Sequence, residues 1–149
     1  MDSQVAKELE KLKGASDRQL RRYDQASAAR RLAWYREQRK DPKLPGEEPL
    51  EMAYRLLLRK LGIREDEAPI VEKSKERIVM HSRNFCPTLE ACKILKLDTR
   101  RVCRLYNEGS TRALVQQVDP NLTFSRNYEK LRPYTDYCEE VIEFRKIHD

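Results

Sequence analysis

The sequence contains no apolar run near the roughly 20 residues needed to span a bilayer. Only four of its 149 residues are glycine. Phosphate-cradling loops need glycines at fixed offsets, and neither G-x-x-x-x-G-K-S/T nor G-x-G-x-x-G occurs. H-E-x-x-H and G-x-S-x-G are also absent, so nucleotide-dependent, zincin and serine-hydrolase readings have no support. The first residues, Met1-Asp-Ser-Gln-Val-Ala-Lys-Glu8, lack the apolar stretch of an export signal. There is no internal repeat and no low-complexity tract. These absences lead to the expectation of a cytoplasmic protein with reduced thiols and no membrane segment.

Charge is plentiful but uneven. Charged residues make up 38% of the chain and the mean hydropathy is −0.87, yet the length still allows one sizeable core. Residues 1–45 hold twelve Lys/Arg against seven Asp/Glu, and the remainder is close to balanced. A basic segment attracts nucleic acid or an acidic partner, or is simply a solvated helix face. Arg21, Arg22, Arg30, Arg31, Arg36 and Arg39 lie there beside Trp34 and Tyr35. Acidic residues are interleaved and no recognition motif is present, so nucleic acid is the least favoured partner.

Periodicity divides the chain in two. Residues 1–45 read as a basic helical arm, broken near Gly14-Ala-Ser16, with Ser16-Asp17 as a cap for the second helix. Asp41 to Pro49 ends it, because three prolines do not fit inside a helix. Its apolar residues, among them Leu9, Leu12, Leu20, Tyr23 and Trp34, need a surface to cover them. The expected surface is the helix at 49–61, or the same helix of a second subunit in a homodimer. Residues 46–149 read as an α+β domain that carries all four cysteines. In it, Leu50, Ala53, Leu56, Leu57 and Leu61 form one helical stripe before Gly62. β-Branched runs at 69–74 and 76–82 predict a hairpin. Pro87 opens a helix to about Leu97, Asp98 caps a second through Asn107, and Gly109 is expected to stop it. Ser110 would cap a third helix through Val118. Leu122–Arg126 and Tyr137–Phe144 read as strands, the latter also fitting helical spacing. The fold class is therefore α+β, an antiparallel sheet with helices packed on it, preceded by an N-terminal helical segment.

Four thiols without an export signal point to ligands, reactive groups or core fillers more than to disulfides. Cys86 precedes the helix that Pro87 opens, where unpaired N–H groups favour a thiolate. It is a nucleophile, a metal ligand or an inert cap. Glu90, one turn on, is a second ligand, a general base or an ordinary first-turn acid. Cys92 shares a stripe with Leu89 and Leu95 and reads as core. Cys103 reads equally as core or ligand. Cys138 follows a polar turn, where thiols often belong to a site. His81, five residues before Cys86, is an extra ligand, a base or a structural histidine. The spacing matches no closed zinc-finger pattern, and suits an open site assembled from distant elements. Arg100, Arg101, Arg104, Arg126 and Arg132 offer a bidentate hold on a substrate carboxylate, or are surface charges.

Cys86-Pro-Thr-Leu-Glu-Ala91, then Cys103, then Tyr134-Thr-Asp-Tyr-Cys-Glu139 with Val141 and Ile142, resembles the L-2-amino-thiazoline-4-carboxylic acid hydrolase-like family. That family is distantly similar to vinyl-4-reductase sensor domains. The resemblance covers about residues 48–145. It implies an α+β domain with an antiparallel sheet and a small-ligand pocket near the cysteines. In the sensor domains a carboxylate and cysteines hold zinc, which implies Cys86, Glu90, Cys103 and Cys138 as metal ligands here, at spacings that differ. The resulting expectation is a small-molecule hydrolase-like or ligand-binding protein with a cysteine-centred, zinc or metal-free site. In the metal-free form Cys86 would attack while His81 or Glu90 moves protons. The alternative is a non-catalytic metal or ligand sensor, or a structural module.

Overall fold

The computed structural model describes residues 1–39 and 48–145. Most of the proline-rich break, and the boundary expected at 45/46, lie outside the described residues. No helix among the described residues is long and apolar enough to cross a membrane.

Local sequence accounts for most element ends. Helix α1 spans Ser3–Leu12, and the Asp2 carboxylate accepts the N–H groups of Gln4 and Val5. Gly14, at φ +66°, supplies the left-handed turn before α2, Asp17–Gln38. Ser16 and Gln19 form a capping box at its start: the Ser16 hydroxyl accepts Gln19 N–H, and the Gln19 side chain accepts Ser16 N–H. Helix α3, Pro49–Leu61, opens on proline and closes on left-handed Gly62. After a short 3-10 turn come β1, Ile70–Lys73, and β2, Arg77–Ser82, the expected hairpin. Then follow α4 (Pro87–Leu95), α5 (Thr99–Tyr106), α6 (Glu108–Val118), β3 (Leu122–Arg126) and β4 (Cys138–Phe144). The strands form one antiparallel sheet in the order β1-β2-β4-β3. The α+β expectation is met, and the last segment is a strand.

The expected helix stop at Gly109 is not there. Helix α6 starts at Glu108 and runs through Gly109 and Ser110. The reason lies 86 residues away in α2. The Asp24 carboxylate accepts Ser110 N–H at 2.9 Å, and a Cβ on Gly109 would stand 2.4 Å from Asp24 Oδ2. Gly109 is thus a close-approach glycine, and Asp24 caps α6 from outside the helix.

Two apolar clusters hold the molecule. In one, α3 and α6 cover the sheet face that bears Ile78, Met80, Leu122, Phe124 and Ile142, with Tyr35 joining from α2. In the other, Leu12 and Leu20 of the first two helices meet Ala91, Cys92, Val102 and Tyr106 of α4 and α5. The apolar residues of the N-terminal helices are therefore covered within this chain. Helix α1 packs on α4, and α2 packs mainly on α6 and α5, whereas the expected surface was α3. Only the end of α2 reaches α3, where Gln38 accepts a hydrogen bond from Arg59 at 3.3 Å.

Candidate functional site

Alternation along the strands divides the covered sheet face into two ends. The register pairs Ser82 with Cys138 and Met80 with Glu140 across β2 and β4, and Arg126 with Glu140 across β3 and β4. Toward Ile78, Ile142 and Phe124 this face is apolar. At the other end it carries Ser82, Cys138, Glu140 and Arg126, four polar groups on the side that meets helices. They line a cavity of about 290 Å³.

The same cavity receives Cys86 from the cap of α4, Cys103 and Asn107 from α5, Arg30 and Arg31 from α2, and Lys11 from α1. Three of the four cysteines, far apart in sequence, share one hollow. Cys92 does not line it and sits in the second apolar cluster, 1% exposed. Two other hollows, of about 400 and 630 Å³, carry no thiol.

Hydrogen bonds fix the charged groups. Arg126, with its side chain 10% exposed, donates from Nε to Glu140 at 3.0 Å and from Nη1 to the Asn107 side chain at 2.7 Å. Burial is the largest single influence and would weaken this charge, but Glu140, Cys103, Tyr128 and Cys138 together outweigh burial and raise the Arg126 pKa. Glu140 also accepts a hydrogen bond from the Ser82 hydroxyl. Arg132 donates from Nη1 to the Asn84 carbonyl at 2.7 Å and from Nε to the Cys138 sulfur at 3.3 Å. Thr99 holds the Arg132 carbonyl at 2.8 Å, which fixes the loop from below. Arg31 donates to the Thr111 hydroxyl at 2.8 Å.

Burial holds three of the thiols, Cys86, Cys92 and Cys103, back from ionising. Cys86 accepts Leu89 N–H at 3.4 Å, as expected for a cap. Burial nevertheless raises its pKa, and the Leu89 N–H and Arg132 only oppose that rise. Burial pushes Cys103 up to about 12, against the pull of Arg126. Cys92 is likewise pushed up to about 12 by burial.

Two expected site residues stand elsewhere. Glu90 does not line the cavity and pairs with Lys93 at 3.4 Å, an ordinary first-turn contact. His81 lies on the opposite sheet face, where its Nε2 meets Glu139 at 3.0 Å and its ring stacks on Tyr137 at 4.0 Å. The catalytic grouping of Cys86 with His81 or Glu90 is thus not assembled. Nor do the residues fit the metal set of Cys86, Glu90, Cys103 and Cys138. Among the described residues no three His, Cys, Asp or Glu side chains are placed to hold an ion. Four guanidiniums, those of Arg30, Arg31, Arg126 and Arg132, line the same cavity, a cationic surround that disfavours a bound cation.

Of the arginines suggested by sequence, Arg126 and Arg132 reach the cavity. Arg100 pairs with Asp98, Arg101 with Asp17, and Arg104 lies over the Tyr128 ring. Sequence reasoning missed Glu140, Ser82 and Arg31 as parts of the site. A signal existed for Glu140, since it stands between Cys138 and Ile142 on the inward side of the strand. Comparison with family models, curated proteins and solved structures finds no match for this chain.

Proposed function

We propose that this protein binds a small organic molecule in the thiol-lined cavity. The observation that carries the reading is the convergence of Cys86, Cys103 and Cys138 with Arg126 and Arg132 around one hollow of about 290 Å³. That size, near the low end for ligand pockets, suits a small metabolite. The polar groups at this end of the sheet face hold one another, Ser82 and Arg126 on Glu140 and Arg126 on Asn107, which fixes them around the hollow. The resemblance to the L-2-amino-thiazoline-4-carboxylic acid hydrolase-like family supports the same site. Cys86, Pro87, Thr88, Cys103 and Cys138, which carry part of that resemblance, all line the cavity. Binding is favoured over hydrolysis because burial holds the Cys86 and Cys103 thiols back from ionising, and the cavity carboxylates Glu140 and Glu8 are already engaged by Arg126 and Tyr106.

The test is protection of thiols. Iodoacetamide labelling of the native protein is followed cysteine by cysteine by peptide mass, with and without a panel of small carboxylates, phosphates and neutral amides. A ligand of the cavity slows labelling of Cys86, Cys103 and Cys138, leaves Cys92 unchanged and raises the melting temperature. A panel in which no compound alters either readout would remove the reading.

A further inference from the structure

Building on the ligand-binding reading, we infer that the cavity takes a small organic anion. A single carboxylate or phosphate head would be held by Arg31 and Arg132, with an apolar body lying against Phe85, Leu61 and Ile63. The inference starts from a charge count. Lys11, Arg30, Arg31, Arg126 and Arg132 line the hollow against only Glu8 and Glu140. Both carboxylates are engaged: Glu140 by Arg126 and Ser82, Glu8 by the Tyr106 hydroxyl at 2.6 Å. Arg31 and Arg132 donate to no carboxylate: their acceptors are the Thr111 hydroxyl, the Asn84 carbonyl and the Cys138 sulfur. Among the described residues neither guanidinium has a carboxylate within ion-pair distance.

Such an arrangement costs free energy until an anion arrives. The surroundings of Arg31 act in the same sense. Burial, then Arg126 and Arg30, pull its pKa down to about 10, and Asp24 only partly offsets them. The start of α4 adds to the attraction, because Cys86, Pro87 and Thr88 bring the positive end of that helix to the cavity wall. An inorganic ion would explain the cations but not the other lining. Phe85 and Leu61 line the same cavity while 56% and 45% exposed, so its lining is apolar as well as cationic. A ligand with a charged head and an apolar body matches both, and a planar head matches two guanidiniums.

The experiment is calorimetric titration with benzoate, phenyl phosphate, benzamide and inorganic phosphate, on the parent, Arg31→Gln and Phe85→Ala. Benzoate or phenyl phosphate should bind at least about tenfold tighter than benzamide, the loss expected for one charge-assisted contact. Arg31→Gln should weaken the anion about tenfold or more while melting no lower than the parent, because it removes a half-buried charge that no carboxylate pairs directly. Phe85→Ala should weaken benzoate and leave inorganic phosphate unchanged. Equal binding of benzamide and benzoate would overturn the charge requirement and leave a ligand cavity standing. Unchanged benzoate binding by Arg31→Gln would overturn the assignment of the head to Arg31. If none of the four binds, while a neutral member of the wider panel still protects the thiols, the anion inference fails and the ligand-binding reading survives. If nothing protects the thiols, both fall.

Discussion

A thiol at a helix N-terminus is drawn toward the thiolate by unpaired N–H groups, and a thiol out of water is driven the other way. At Cys86 both influences act and burial prevails, so the position that looked reactive in sequence carries a protonated thiol. Burial depends on packing that no local pattern reveals, which is why the cap was legible and its consequence was not. Cys103 gives the sharper test, with its pKa pushed up to about 12. Its iodoacetamide labelling should rise about tenfold per pH unit from 7 to 10, following the thiolate fraction. A plateau below pH 9 would show an activated thiol and reopen the nucleophile reading. On the other sheet face, the Asn127 amide and then His81 hold the Glu139 carboxyl below its ordinary pKa. A depressed carboxylate stabilises the fold above its unfolded pKa, and that contribution is lost as pH falls through the folded value. Glu139→Gln should therefore cost about 1.5 kcal/mol at pH 7, the order of a charged hydrogen bond. The difference from the parent should shrink below about pH 4.5, the ordinary carboxylate range. Urea unfolding at pH 7 and pH 3.5 measures both, and an equal loss at the two values would assign the effect to shape.

Element ends were legible wherever the capping residue sits beside the helix it caps. Ser16 with Gln19, Pro49 with Gly62, and Asp98 all act within a few residues of their own helix. The start of α6 was not legible because its cap comes from α2. Asn107, the residue placed to cap α6, makes no side-chain cap bond and instead accepts from Arg126 at the cavity. The polar group that local sequence offers the helix has been diverted to the site, and Asp24 replaces it through a close approach that requires Gly109. Gly109→Ala sets two effects against each other. Alanine gains at most about 1 kcal/mol of helix propensity. Its Cβ displaces the Asp24 carboxylate from Ser110 N–H, a charged hydrogen bond contributing about 1.5–3 kcal/mol. The net expectation is destabilisation by about 1 kcal/mol, and pairing it with Asp24→Ala gives a double-mutant cycle. Additive losses in that cycle would show that the two residues do not act together.

For the molecule as a whole, the sheet face was legible in alternation and the helices in periodicity, but not the placement of the N-terminal helices. Their stripe showed that something must cover Leu12 and Leu20, and no local pattern says which surface does so. In the structure that surface is α4 and α5, residues 80 or so positions later, and both leucines are 1% exposed. Helix α1 also lends Lys11 and Glu8 to the cavity wall, and Glu8 is tied to Tyr106. The helical segment and the cysteine-bearing segment thus share one apolar cluster and one cavity. Removing residues 1–16 takes away Val5 and Leu12, uncovers Cys92, and opens one wall of the hollow. Loss of a single buried leucine side chain costs about 2–5 kcal/mol, against a total stability of about 5–15 kcal/mol for a domain. The truncated protein is expected to melt well below the parent, and its Cys92 should label with iodoacetamide at a rate near that of unfolded protein. Leu12→Ala, a milder change, should lower stability in the same direction and speed Cys92 labelling. Should the truncated chain keep both the melting temperature and the slow labelling of Cys92, residues 1–16 would be an appendage and the shared cluster would contribute nothing to holding the fold.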